Sequence, residues 1–142
     1  MQKCYVLVAD STRARVFDYN ATAKQFNELY DIIDPLGRLP DARLSSDRPG
    51  RVQGGGAGHA FESKHANKEH EHDEFARRIC QRLDADRIDH KFDSLILVAA
   101  PKFLGELRNH LSSSCQKLVT KSMHSNLSKS TPGEILQHLK DN

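Results

Sequence analysis

Residues Cys4–Ala9 (Cys-Tyr-Val-Leu-Val-Ala) form an unbroken apolar run, which predicts a strand covered on both faces. Asp10-Ser11-Thr12 follows, three short polar side chains of the kind that bond nearby backbone amides and turn the chain. Ala14–Tyr19 predicts a second strand, Asn20–Gln25 a polar turn, and Phe26–Ile33 a third strand by its alternation, ended by Asp34-Pro35. Spacing this close suits hairpins, so the three strands are expected to form an antiparallel meander. The apolar period then vanishes until Asn67. There Asn67 predicts an N-cap, with Glu69 and Glu71 in a first turn where the helix dipole favours anions. Phe75, Ile79 and Leu83 recur every four residues beside Ala76 and Cys80, giving one buried stripe, while Arg77, Arg78, Gln81 and Arg82 take the opposite face.

Leu95–Ala100 is the most apolar run and is expected to be the central strand. Pro101 suits the first turn of a helix whose buried face is Phe103, Leu104, Leu107 and Leu111. Cys115–Lys121 predicts a short strand around Leu118 and Val119. Thr131-Pro132-Gly133-Glu134 reads as a capping box with proline at the first helical position, opening a last helix lined by Ile135, Leu136 and Leu139. The order is three strands, a long loop, then α-β-α-β-α. That predicts a single α/β domain over residues 1–142, with a mixed β-sheet of about five strands: an antiparallel meander extended by βαβ crossovers and flanked by helices.

Composition changes this picture little, since 37% hydrophobic and 28% charged residues are ordinary for a globular domain. A net charge of +2 does not by itself predict a nucleic-acid partner. Its distribution matters more. From Gly37 to Lys68 six basic residues (Arg38, Arg43, Arg48, Arg51, Lys64, Lys68) stand against three acids (Asp41, Asp47, Glu62), a local excess of three that exceeds that of the whole chain. No apolar run approaches the roughly 20 residues of a membrane span. Met1-Gln2-Lys3 leads straight into a strand without a small-residue cleavage site, so a cytoplasmic location and no membrane partner are expected. Cys4, Cys80 and Cys115 each lie in or beside an apolar segment and include no Cys-x-x-Cys, the pattern of buried thiols in a reducing compartment.

Most of the candidate chemistry lies in the long Gly-rich loop at about 35–67. Loops of this length inside a compact domain are usually functional or disordered. Gly54-Gly55-Gly56-Ala57-Gly58 lets backbone amides approach a phosphate or another backbone, because glycine has no Cβ; a flexible polar loop is the plainer reading. It is not a P-loop, since no Gly-Lys-Ser/Thr follows and no helix is predicted directly after it. A dinucleotide fingerprint belongs between the first strand and first helix, which this is not. His59, His65, His70 and His72 crowd together, but His70 and His72 are two apart and point to nearly opposite sides of a helix. His70 with Glu74 is only a pair, so no metal and no other cofactor is expected. Asp10 ends the first strand, where two-metal nucleases of the ribonuclease-H-like fold keep a carboxylate. Ala99-Ala100-Pro101-Lys102 supplies no partner acid, which favours a turn-forming role for Asp10. Ser112-Ser113-Ser114 lies at a helix end, and there is no Gly-x-Ser-x-Gly elbow.

Several segments carry a family likeness in order along almost the whole chain. They are Leu7-Val8-Ala9-Asp10-Ser11-Thr12-Arg13-Ala14-Arg15-Val16-Phe17, Ser46-Asp47-Arg48-Pro49-Gly50-Arg51 with its Gly-rich, His-containing sequel, and Phe75-Ala76-Arg77. Leu97-Val98-Ala99-Ala100-Pro101-Lys102-Phe103-Leu104-Gly105-Glu106-Leu107-Arg108 and Leu127-Ser128-Lys129 complete the set. Together they resemble the bacterial host-attachment protein family, the "protein required for attachment to host cells". That family is similar to the middle domain of archaeal and eukaryotic peptide-chain release factors, a ribonuclease-H-like α/β fold. Release factors carry a Gly-Gly-Gln tripeptide on a mobile loop; here Gln53 precedes Gly54-Gly55-Gly56, so the order that release chemistry uses is not present.

The resemblance implies a non-enzymatic cytoplasmic module that associates with RNA or the ribosome. In that reading Arg48, Arg51, Lys64 and Lys68 neutralise phosphates, Gly54, Gly55, Gly56 and Gly58 permit close approach, and His59 adds a hydrogen bond. Two alternatives stay open: a hydrolase, metal-dependent or not, using His59 and Glu62 with His70, and a module that binds a protein partner and affects host-cell attachment indirectly.

Overall fold

The run Cys4–Ala9 becomes the middle of the sheet. The computed structural model describes the backbone of residues 3–34, 36 and 57–142, and their side chains except in 57–66. Its elements are β1 (Cys4–Ala9), β2 (Arg13–Asn20), β3 (Gln25–Ile33), α1 (Ala57–Ile88), β4 (Ser94–Ala99), α2 (Pro101–His110), α3 (Ser113–Gln116), β5 (Val119–His124) and α4 (Pro132–Asp141). The strand order is β3-β2-β1-β4-β5. β1 pairs antiparallel with β2, and β2 with β3, whereas β1–β4 and β4–β5 are parallel. The expected mixed sheet is therefore present. The central strand is β1 and not Leu95–Ala100. Both strands are buried on both faces, so apolar content alone does not rank them.

Alternation along the strands divides the core in two. Tyr5, Leu7, Ala9, Leu95, Leu97 and Ala99 face one way, where they meet Phe75, Ile79 and Leu83 of α1 and Phe103, Leu104 and Leu107 of α2. Phe75 and Phe103 stack with ring centroids 6.3 Å apart. Val6, Val8, Ile96, Val98, Phe17 and Met123 face the other way, against Ile135 and Leu139 of α4. Among the described residues one face thus carries α1 and α2, and the other carries the ten-residue helix α4.

Three boundaries differ from the sequence reading. Helix α1 begins at Ala57, inside the glycine cluster and against the expectation that no helix adjoins it, so Asn67 is no N-cap but a buried residue inside the helix. Glu69 and Glu71 are correspondingly not in the first turn. Ala57, Ala60, Glu62, Lys64 and Ala66 are good helix formers, and adding residues to an existing helix costs far less than nucleating one. Cys115 belongs to the short α3, whose cap is Ser112 Oγ accepting from the Cys115 amide, and strand β5 starts only at Val119. In β3 the register slips between Val16↔Tyr30 and Phe17↔Glu28, leaving Leu29 as a bulge. The capping box of α4 forms as read, with Thr131 Oγ1 accepting from Glu134 N and Glu134 Oε1 accepting from Thr131 N.

Phe75 has no exposed surface and joins α1 to both the sheet and α2. Phe75→Ala is expected to lower unfolding stability by about 3–5 kcal/mol, measured by urea denaturation.

Candidate functional site at the carboxyl edge of the sheet

β3 is antiparallel to β2, which is antiparallel to β1, so β1, β3, β4 and β5 all run the same way. Their carboxyl ends, at Asp10, Asp34, Ala100 and Ser125, share one edge. The chain moves from β1 outward to β3 on one side and places β4 and β5 on the other. The β1/β4 boundary is therefore where strand order reverses, the place at which open α/β sheets bind ligands.

Asp10 stands at this boundary, fully engaged. Its Oδ1 accepts hydrogen bonds from Thr12 N (2.7 Å), Thr12 Oγ1 (3.0 Å) and Arg13 N (2.8 Å). Its Oδ2 accepts from Ser128 Oγ at 2.5 Å. Burial works to raise the Asp10 pKa, but the donors from Ser128, Thr12 and Arg13 outweigh it and hold the carboxyl below its ordinary value. The turn-forming role read from Asp10-Ser11-Thr12 is met, with a tertiary bond added.

Ser128 is also the target of two arginines. Arg15, only 5% exposed, donates from Nη1 to Ser128 O (3.1 Å) and Ser130 O (2.6 Å), and from Nε and Nη2 to Glu28 (2.9 and 3.0 Å). Arg13 holds Asp31 with a fork of bonds between 2.6 and 3.0 Å and reaches Ser128 O at 3.4 Å. Residues three apart on a regular strand point to opposite faces. The Leu29 bulge is what puts Glu28 and Asp31 on one face, opposite both arginines.

Asp34, where the chain leaves β3, is 1% exposed, and its amide donates to Thr12 O at 2.9 Å. Its carboxylate lies 3.3 Å from Arg78 Nη2, which also donates to the buried Glu71 at 3.0 Å. Neither side-chain oxygen of Asp34 accepts a hydrogen bond among the described residues. The other arginines of α1 are likewise joined to acids: Arg77 to Glu74 (2.8 Å), Arg82 to Asp86 (3.3 Å) and Arg87 to Asp84 (3.0 Å). The outward arginine face of the helix is thus internally neutralised.

Of the predicted phosphate contacts, Arg48, Arg51, Gly54, Gly55 and Gly56 lie outside the described residues. Gly58, His59 and Lys64 lie in α1, with their side chains outside the described set; these positions are helical rather than loop. Lys68 is described. It is half-buried and sits seven residues, two turns, before Phe75, so it continues the core-facing line of α1 toward the carboxyl edge. His70 is exposed on the same helix. On the flank toward α2, Lys102 pairs with Glu69 (3.2 Å) and His110 with Asp73 (2.9 Å). Burial, then Asp73, pushes the nearby Glu106 carboxyl up. Among the described residues no three His, Cys, Asp or Glu side chains are grouped to hold a metal ion, and no helix is long and apolar enough to cross a membrane. Cys80 and Cys115 are buried free thiols and Cys4 is half-buried. Burial, with Cys115 nearby, pushes the Cys80 thiol up to about 12, far from the thiolate a nucleophile needs.

Sequence reading missed Arg15, Asp34 and Ser128. Arg15 and Ser128 had each left a signal, within the Leu7–Phe17 and Leu127-Ser128-Lys129 segments of the family likeness. A depressed carboxyl stabilises the fold fully above its unfolded pKa of about 3.9, and that contribution is lost as pH falls through the lower folded value. Ser128→Ala is expected to cost about 1–3 kcal/mol at neutral pH in urea unfolding, and to raise the Asp10 titration midpoint followed by NMR.

This arrangement of strands and helices has counterparts among solved structures. The archaeal translation termination factor aRF1 aligns with a TM-score of 0.52 at 10% identity over 98% of this chain. A structure described as "Archaeal protein" aligns with a TM-score of 0.49 at 8% identity, also over 98% of the chain. This chain spans 38% of the length of each. At such identity the aRF1 likeness shows the fold alone, and that fold is release-factor-like. No curated protein matches. A family model matches residues 5–139, nearly the whole chain, and by that match the chain belongs to the family described as "Protein required for attachment to host cells".

Proposed function

We propose that this protein is a non-enzymatic RNA- or ribosome-associated binding module. Its contact surface would be the segment between Asp34 and α1 together with Lys68, and its phosphate contacts Arg48, Arg51, Lys64 and Lys68. The observation that carries this reading is the position of Lys68. It continues the buried line of α1 out to the carboxyl edge and is the last basic residue of the stretch that holds the chain's local excess of positive charge. The arginines further along α1 are matched by carboxylates and offer phosphates much less. The aRF1 likeness supports the reading by analogy of fold with a translation termination factor. Gln53 stands before the glycines, which argues for contact without release chemistry. In this reading host-cell attachment depends on the protein through what it binds.

The test is co-sedimentation with ribosomes over a salt series. Four phosphate contacts predict a slope of log affinity against log salt of about −3, so a fourfold rise in salt weakens binding tens of times. Arg48→Ala with Arg51→Ala should roughly halve that slope while leaving the melting temperature unchanged. Absence from the ribosome pellet at low salt, or binding that ignores salt, sinks the proposal.

A further inference from the structure

We propose a second binding site: the groove between helix α4 and the outer edge of β5, which no described residue pairs, takes an extended acidic peptide by strand addition. β5 is an outer strand whose ladder partner is β4, so half of its backbone N–H and C=O groups point away from the sheet. Beside it lies a cavity of about 320 Å³ lined by five consecutive residues, 121–125, and by His138 and Asn142 from the end of α4. Successive strand residues face opposite sides of a sheet. A cavity that touches five in a row therefore wraps around the strand's outer edge, where the unpaired backbone groups are.

Among the described residues α4 is the one helix on its face, which leaves the groove beside it. Ile135 and Leu139 seat that helix over β1, β2 and β4, with Met123 as its contact on β5. His138 Nε2 lies 3.0 Å from Ser125 Oγ and fixes the helix wall against the strand end. An edge strand flanked by a helix is the geometry that peptide-binding domains use when main-chain bonds supply affinity and alternate side chains supply specificity. Residues 121–125 span roughly 15 Å, enough for about five residues of added strand.

Charge selects the occupant. Lys121, His124 and His138 line the cavity, and no Asp or Glu does so among the described residues. Lys121 Nζ already donates to a main-chain oxygen of Asn142, the kind of acceptor an incoming peptide brings. The opposite edge is unlike this one. β3 carries the Leu29 bulge in its middle and the acids Glu28 and Asp31, features that blunt an edge, whereas the irregularity in β5 falls at its start and leaves 121–124 in register.

The probe is a fluorescein-labelled peptide of five Val-Glu repeats, with five Val-Lys repeats as its counterpart, read by anisotropy at low salt. The Val-Glu peptide should bind and the Val-Lys peptide should not. Hydrogen exchange at backbone amides of 120–125 should slow on binding. Lys121→Glu should weaken binding at least roughly tenfold, as truncation of a central contact does. Lys121→Gln serves as the milder variant if charge reversal impairs folding. Arg48→Ala with Arg51→Ala should leave peptide binding unchanged, which separates this site from the ribosome reading. No binding at millimolar protein overturns the proposal. So does binding without slowed exchange, which is charge adhesion, and so does full displacement by inorganic phosphate, which marks a small-anion site.

Discussion

The fold depends on keeping one buried charge satisfied. Arg15 sits on β2 with 5% of its surface exposed, and a guanidinium cannot shed its charge by losing a proton. Removing such an ion from water costs several kcal/mol unless its donors find acceptors. Glu28 supplies the counter-charge in a two-point contact, and the carbonyls of Ser128 and Ser130 take the remaining face of the group. Each acceptor imposes a condition. Glu28 reaches Arg15 because Leu29 bulges out of β3, and the two carbonyls are in place because Asp10 grips the Ser128 hydroxyl. One side chain thereby sets a strand irregularity, a turn and the path of the loop that follows β5.

That loop decides where α4 goes. Thr131, its N-cap, comes three residues after Ser128, so pinning Ser128 aims the helix at its half of the core. The helix has only ten residues and, among the described residues, no companion helix on its face, and the polar hub does for it what packing partners do for α1 and α2. A similar device works on the opposite face at the far end of α1. Asp86, 3% exposed, accepts from Tyr5 Oη (3.1 Å) and Tyr30 Oη (2.8 Å), while Arg82 pairs with it and stacks 4.0 Å above the Tyr30 ring. Burial and the neighbouring carboxylate push the Tyr5 phenol up to about 12, so it remains a donor throughout the neutral range. Each face is tied to its helix by a carboxylate and its donors, half-buried at Asp10 and buried at Asp86, and the strand residues involved come from β1, β2 and β3.

What the sequence made legible follows from period. The apolar runs of β1 and β4, the Phe75-Ile79-Leu83 stripe and the Thr131 capping box are local patterns, and each took its expected form. Strand rank in the sheet is not local. β1 and β4 are both apolar throughout, and which of them lies in the middle is decided by where the meander ends. Helix α1 extends ten residues beyond its last legible cap because the preceding residues carry helical propensity without an apolar period. The hub was illegible for a different reason: Arg15 lies 113 residues from Ser128, and on an alternating strand an arginine reads as a solvent-facing position. Nothing local announces that Leu29 will be the residue left out of register.

Catalysis at a switch point needs groups with unspent hydrogen-bonding capacity near the reacting atoms. At Asp10 both oxygens are taken by donors from the chain, and the serine nearest to it, Ser128, gives its proton to that carboxylate. The buried thiol of Cys80 is driven away from its reactive form. Asp34 and the Glu106 Oε2 atom on α2 are exceptions: both are buried without a hydrogen bond from the described residues, and Asp34 is charge-compensated by Arg78 at 3.3 Å. Asp34 stands where the chain enters the glycine-rich, basic stretch, as Lys68 stands beyond the point where that stretch becomes helix. The polar groups of the rigid scaffold are thus largely committed to holding the sheet and helices together. Asp34 and Lys68 bracket the glycine-rich, basic segment in which the proposed phosphate contacts lie.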